Sequence, residues 1–310
     1  MSEVVVGTRG SRLALAQADL VIEQLKTKHP NQSFRVEIIQ TEGDKLSQES
    51  LFVIGGKGIF IKEIEEALLD KKIDLAIHSL KDMPTEQPDG LILGAILERE
   101  DPRDVLISRS GLSLKNLLLR SRIGTGSPRR GAQLLAWRAD LQIAEIRGNV
   151  DTRLKKLEAG QYDAIIVAAA GLKRLGLEER ITDFIPTEIL LPAVGQGALA
   201  VEIRADDARM KTLVASINHS QTAREVLTER AFLEVLGGGC RAPIAALAQE
   251  RNGQMQLEGL VAQPDGHQIT RDKISGRPEE SKKLAHHLAE TLIQRGAKKI
   301  IEELHHESLA

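Results

Sequence analysis

A chain of 310 residues exceeds what one ordinary hydrophobic core organises, so two or three domains are expected. Hydrophobic residues at 42% and charged residues at 28% are the balance of a soluble globular protein, while 42 Lys and Arg against 44 Asp and Glu leave a net charge of −2. That charge excludes a global basic field drawn to nucleic acid or anionic membrane, 2% aromatics leave few rings for base stacking, and no run approaches the ~18 apolar residues of a membrane span.

The segment Met1-Ser-Glu-Val-Val-Val-Gly7 has neither the basic region nor the long apolar stretch of a signal peptide, which predicts a cytoplasmic protein. Val4–Gly7 reads as a strand, and Ser11 as the cap of a helix whose apolar face includes Leu15, Ala18, Ile22 and Leu25. A strand over Phe34–Thr41 follows, then a loop at Gly55-Gly-Lys-Gly58 and a helix near Ile61–Asp70. Asp74–His78 has the continuous apolar centre of a parallel strand covered on both faces, and Leu91–Leu97 is a further strand. The alternation resumes after Asp101-Pro-Arg103. Strands are predicted at Val105–Ser108, Arg122–Thr125, Leu141–Ile146 and Ala164–Ala168, and helices at Leu114–Leu119, Arg129–Arg138 and Val150–Glu158. Gly195–Ile203 returns as a loop and strand to the first sheet. From about Asn218 the character changes: a helix over Thr222–Leu236, strands at Ile244–Gln249, Gln256–Ala262 and Gln268–Ile274, and a closing helix over Pro278–Glu303.

These elements describe an α/β protein of two doubly wound lobes, an arrangement resembling periplasmic binding proteins, plus a smaller α+β C-terminal domain. The expected boundaries are 1–97 with 198–216 for the first lobe, 98–197 for the second and 217–310 for the third domain.

Ligands of open parallel sheets bind beyond the carboxyl ends of the strands. After Val4–Gly7 come Thr8, Arg9, Ser11 and Arg12; after Asp74–Ile77 come His78, Ser79, Lys81 and Asp82. In the second lobe the corresponding positions hold Gly126, Ser127, Arg129 and Arg130, then Arg147, Gly148, Asn149 and Arg153, then Lys173 and Arg174. Any one of these arginines is an ordinary surface ion pair by default. As a set at matching strand ends, with few acids among them, they predict a polyanionic ligand. Ser127-Pro128 also suits a helix start with free N–H groups for an anion.

Nucleotide signatures fail. Gly124-Thr-Gly126 has no third glycine, and Gly55-Gly-Lys-Gly58 has no Ser or Thr after its lysine. The pairs His286-His287 and His305-His306 read as solvated helix positions, and no metal site is expected. The single cysteine, Cys240, excludes an intramolecular disulfide, and the three glycines before it allow a turn that presents its sulfur. An inert packed thiol is the plainer alternative. Asp82 is an acid among cations, able to balance Lys81, to form a turn before Pro84, or to stabilise positive charge and move a proton.

His78-Ser-Leu-Lys-Asp-Met-Pro84, Ile146-Arg-Gly-Asn-Val-Asp-Thr-Arg153, Gln196-Gly-Ala-Leu199 and Gly238-Gly-Cys-Arg-Ala-Pro243 resemble the signature segments of the porphobilinogen deaminase family, in order over nearly the whole chain. That family joins four porphobilinogen molecules head to tail, with loss of ammonia, into hydroxymethylbilane. The resemblance implies a dipyrromethane cofactor on Cys240 through a thioether, and Asp82 as catalytic residue with Lys81 and Arg9 beside it. It implies Ser11, Lys81, Asp82, Thr125, Ser127, Arg129, Arg130, Arg147 and Gly148 as cofactor contacts. Arg9, Ser11, Arg147, Arg153, Arg174, Phe60 and Lys57 are implied as substrate contacts, Lys57 within a loop over the site. It further implies a monomer with porphobilinogen as its small-molecule substrate, while the net charge and the few aromatics speak against a nucleic-acid or membrane partner.

Two positions depart from the family pattern: Val53 stands where many members have lysine, and Pro128 where many have leucine. A small-anion receptor of the periplasmic type is the main rival reading, though it leaves Asp82 and the thiol without a role. An acyl-transfer enzyme with Cys240 as nucleophile lacks an evident histidine partner.

Overall fold

The computed structural model describes residues 2–42, 61–237 and 242–307. Val53, Lys57, Phe60, Cys240 and the loop Gly55–Gly58 lie outside the described residues. The chain divides into two compact units, residues 1–100 with 197–223 and residues 101–196 with 224–310.

The first unit is built on a sheet of β1 (Val4–Thr8), β2 (Phe34–Ile38), β3 (Leu75–Ser79), β4 (Leu91–Ile96) and the late strand β10 (Leu199–Arg204), in the order β2-β1-β3-β10-β4. β1 is parallel to β2 and β3, whereas β10 is antiparallel to both its neighbours. The period of two along each strand sorts the side chains onto two faces. Val4, Val6, Leu75, Ile77, Leu199, Val201 and Ile203 pack against α1 (Arg12–Lys28) and the helix Ala208–Ala215. Ala76 and Leu91 face the other way, onto Ile64, Ala67 and Leu68 of α2 (Lys62–Leu69). The near-continuous apolar strands therefore have helices on both sides. Ser11 caps α1, its Oγ accepting from the Ala14 N–H at 3.2 Å.

The second unit opens with a sheet of the same plan. β5 (Asp104–Ser108), β6 (Arg122–Gly124), β7 (Gln142–Ala144), β8 (Ala164–Ala168) and β9 (Asp183–Phe184) stand in the order β7-β6-β8-β5-β9. β6 is parallel to β7 and β8, and β5 is the antiparallel strand. Its helices are α3 (Pro128–Trp137), α4 (Val150–Glu158) and α5 (Ala169–Arg174). The same unit holds an antiparallel sheet of β11 (Ile244–Arg251), β12 (Gln254–Ala262) and β13 (Ile269–Gly276). Alternate residues decide its packing: Ala246, Ala248 and Leu257 join Phe232, Leu288 and Leu292, while Ala245, Leu247 and Leu260 join Ala132 and Leu191. The C-terminal elements thus have a core of their own and a second face set on the helix and linker of the preceding sheet.

Two expectations about elements change, and two elements are new. The helix predicted over Leu114–Leu119 is only a short turn at Leu114–Asn116. Leu114 and Leu117 are buried but Leu118 and Leu119 are exposed, so no continuous apolar stripe exists to hold a helix. The carbonyls of Leu114, Leu117 and Leu118 instead accept from the Arg138 guanidinium. The closing helix is two helices, Ser281–Leu292 and Lys298–Glu307, parted by a wide turn in which Gly296 has φ 104°. The helix Ala208–Ala215 and the two-residue β9 had no prediction at all.

Candidate active site

Each unit brings its own set of predicted residues to one edge of a sheet. In the first, β1 and β3 are parallel neighbours, so the segments that follow them leave at the same end. Thr8 lies buried beneath α1 and Ser11 caps it, with Arg9 half-buried between them. β3 runs into a tight turn, Leu80–Asp82. The Leu80 N–H donates to the Ala198 carbonyl at 3.1 Å, and Met83 N–H closes the turn on the Leu80 carbonyl at 3.2 Å. Leu80 and Met83 are buried, while Lys81 is half-buried and Asp82 exposed. Two buried apolar residues therefore pin the turn and leave the cation and the acid facing outward. The Gln196–Leu199 motif meets this turn through β10, where Leu199 pairs with Ser79.

In the second unit the strand ends of β6, β7 and β8 lie side by side. The Ser127 N–H donates to Thr125 Oγ1 at 3.2 Å, and Pro128 opens α3. Arg129 and Arg130, the next two residues, are not open to solvent; they are 4% and 6% exposed. Both grip Asp104, itself fully buried: Arg129 Nη2 donates to Oδ2 at 2.8 Å, and Arg130 Nη2 to Oδ1 at 2.6 Å. Arg129 Nη1 also donates to the Leu191 carbonyl and Arg130 Nη1 to that of Ile166. Gln196, the first residue of its motif, donates to Asp104 Oδ1 at 3.0 Å and to the Pro102 carbonyl at 2.7 Å. Burial works against ionisation of Asp104, but the charges of Arg129 and Arg130 and their hydrogen bonds override it and hold its pKa down at about 2.

One carboxylate thus serves two guanidiniums, and a third lies in their field. Burial, and then the charge of Arg130, push the Arg153 pKa down to about 10. Its Nε donates to the Gly148 carbonyl at 2.9 Å. Gly148 has φ 106°, and a Cβ there would lie 2.6 Å from Thr152 Cγ2, so only glycine fits this turn before the Asn149 cap of α4. Arg147 is held by Glu145, Nε to Oε1 at 2.8 Å, and Arg174 is half-buried at the end of α5. Arg129 Nε is buried without a hydrogen-bond partner among the described residues.

The arginine set predicted from the strand ends is therefore present, but in two layers. Arg129 and Arg130 are buried and fixed by Asp104, while Arg153 is half-buried, within reach of the charge of Arg130 and in no ion pair with a described acid. Asp104 and Gln196 were missed as members because neither follows a parallel strand; Asp104 opens the antiparallel β5. A surplus of buried positive charge with an unpartnered donor fits the acetate and propionate carboxylates of a dipyrromethane.

Comparison with known proteins gives the chemistry a family. Residues 4–212 match the model of the porphobilinogen deaminase dipyromethane cofactor binding domain, and residues 223–294 that of the porphobilinogen deaminase C-terminal domain. A porphobilinogen deaminase of Alkaliphilus metalliredigens is 48% identical over 97% of this chain and 96% of its own length. One of Desulforudis audaxviator is 50% identical over 96% of this chain and 97% of its own. Among solved structures, the substrate binding protein of an amino acid ABC transporter is 14% identical at a TM-score of 0.36, covering 76% of this chain and 95% of that one. So slight a likeness gives the receptor reading no support. With both domain models matched in order and about half of all positions identical to such relatives, this chain belongs to the porphobilinogen deaminase family.

Proposed function

We propose that Asp82 is the carboxylate that stabilises positive charge and moves protons in the reaction, and that Cys240 tethers the cofactor through a thioether. As a member of its family the protein is a transferase of tetrapyrrole biosynthesis, joining four porphobilinogen molecules head to tail into hydroxymethylbilane with release of ammonia. Its cofactor is dipyrromethane, which when bound supplies the terminal pyrrole to which incoming rings are joined.

The chain's own residues divide the remaining work. Asp82, exposed on a turn pinned by Leu80 and Met83, accepts a proton or offsets a cation without dragging the sheet with it. Lys81, Arg9 and Ser11 give the first lobe cations and a hydroxyl for ring carboxylates. Arg147, Gly148, Arg153, Arg174, Thr125 and Ser127 do so in the second, with Arg129 and Arg130 adding charge from below; Lys57 and Phe60 complete the set from outside the described residues. The observation that carries this reading is Asp82, exposed on a turn pinned by buried Leu80 and Met83 at the end of β3, whose parallel neighbour β1 leads into Arg9 and Ser11. We further place the protein in the cytoplasm as a monomer of three domains bounded as the sequence suggests, with no nucleic-acid or membrane partner. Its net charge of −2 supports this, as does the lack, among the described residues, of a helix long and apolar enough to cross a membrane.

The test is intact mass against the 33.9 kDa of the bare chain. An excess equal to two linked pyrrole units, absent from Cys240→Ser, is expected. No adduct on the wild-type protein even after incubation with porphobilinogen would refute the tether.

A further inference from the structure

The turn after β7 is held by more than its glycine. Its carbonyls accept hydrogen bonds from side chains that come later in the chain. Tyr162, just before β8, donates from its hydroxyl to the Glu145 carbonyl at 2.6 Å. Lys156 Nζ donates to the Arg147 carbonyl at 3.2 Å, and Arg153 Nε to that of Gly148 at 2.9 Å. Arg153 and Lys156 both belong to α4 at an i, i+3 spacing, so one face of that helix grips two successive carbonyls.

Both newly named donors are constrained. Tyr162 is 7% exposed, and its ring lies on bare backbone of β6: a Cβ on Gly124 would stand 3.0 Å from Tyr162 Cδ1. The Arg122 guanidinium sits 5.3 Å from the ring centroid. A ring fixed in this way aims its hydroxyl at one place. Lys156 is half-buried, with its ammonium on a carbonyl. Neither residue follows a parallel strand, which is why the strand-end rule passes over both.

The peptides here are trans, so the C=O and N–H of one peptide point in opposite directions. Drawing the Arg147 and Gly148 carbonyls onto α4 therefore turns the Gly148 and Asn149 N–H groups away from it. Two successive N–H groups fixed in this manner present partial positive charge suited to a carboxylate. We propose that Lys156 and Tyr162 are positioning residues of the reaction. By holding the Arg147 and Glu145 carbonyls, they set the Arg147–Asn149 backbone and the Arg147 side chain where ring carboxylates bind. The inference rests on the reading of Arg147 and Gly148 as carboxylate contacts and adds what keeps them in place. Without the Lys156 donor the Arg147–Gly148 peptide is free to rotate, since glycine resists least. Carboxylate binding then weakens, while proton transfer at Asp82, on the first sheet, is left as it was.

Tyr162 is the only tyrosine in the chain, so holoenzyme labelled with ζ-¹³C tyrosine gives one signal that needs no assignment. Lys156→Met keeps the stem and loses the donor, Lys156→Arg keeps charge and donor, and Tyr162→Phe loses only the hydroxyl. Lys156→Met should shift the tyrosine signal and raise KM for porphobilinogen at least ~5-fold, the scale of one lost charge-assisted hydrogen bond, with kcat nearly unchanged. The rise should persist in about 0.5 M KCl, where long-range charge effects are screened. Tyr162→Phe should raise KM as well, and Lys156→Arg should restore both KM and the signal. A KM rise that vanishes at high salt overturns positioning in favour of simple charge attraction. An unmoved tyrosine signal in Lys156→Met overturns the hold of the lysine on the turn and leaves the Arg147 and Gly148 contacts standing. A shifted signal with KM unchanged in both Lys156→Met and Tyr162→Phe overturns the proposal together with the reading beneath it, because the turn then meets no ring carboxylate.

Discussion

Asp82 and Asp104 are both acids among cations, and their surroundings give them opposite work. Asp82 is exposed beside a half-buried lysine, so it is available to a ligand and contributes little to folding. Asp82→Ala should lower kcat/KM at least ~100-fold, the scale of a lost proton-transfer group, with an unchanged far-UV circular dichroism spectrum; a variant that keeps a tenth of the wild-type rate would contradict the role. Asp104 is fully buried between two guanidiniums, so Asp104→Asn should destabilise the fold by roughly 3–5 kcal/mol at neutral pH, read from urea midpoints. Its pKa in the folded protein, about 2, lies below the ordinary 3.8. The stability linked to that difference is present above pH 3.8 and is lost as the pH falls through about 2. The gap between wild type and Asp104→Asn should accordingly narrow by roughly 2 kcal/mol across that window. A constant gap would show that Asp104 is not held ionised by its arginines.

At the scale of elements, the same device recurs: a strand hands its last residues to a short, heavily constrained turn, and the turn aims the polar groups. After β3 the constraint is burial of Leu80 and Met83. After β7 it is backbone conformation at Gly148, whose carbonyl also receives Arg153 Nε. Gly148→Ala forces a Cβ against Thr152 at a φ that alanine resists, and should cost about 1–3 kcal/mol in urea unfolding. Because the turn also sets Arg153, the variant should carry a smaller cofactor-loaded fraction by intact mass. Full loading together with lost stability would separate the turn's structural role from its part in the site. Helix legibility followed the same logic. Val150–Glu158 was readable to the residue because Asn149 caps it and an apolar stripe follows; Leu114–Leu119 was misleading because leucines alone do not make a stripe.

For the whole molecule, two sheets share one plan, with three parallel strands, one antiparallel strand and an edge strand, and the chain supplies the antiparallel member of the first only after completing the sheet of the second. That return was legible because Leu199–Ile203 is apolar at every position but Glu202, the mark of a strand covered on both faces. The exception proved informative, since the fully buried Glu202 lies 3.1 Å from His78 Nε2 on the neighbouring strand. Sequence by itself determined the two lobes, the strands of each and the return of the chain to the first sheet, the strand-end positions of the cations and the motifs of the family, because period, caps and glycine turns are local properties of the chain. Only the tertiary structure decided which charges meet. Asp104 reaches Arg129 and Arg130 across more than 20 residues, Glu202 reaches His78 across 124, and Gln196 reaches Asp104 across 92. Such pairs depend on strand register and helix placement, and the energy that fixes them is burial, which no local spacing records.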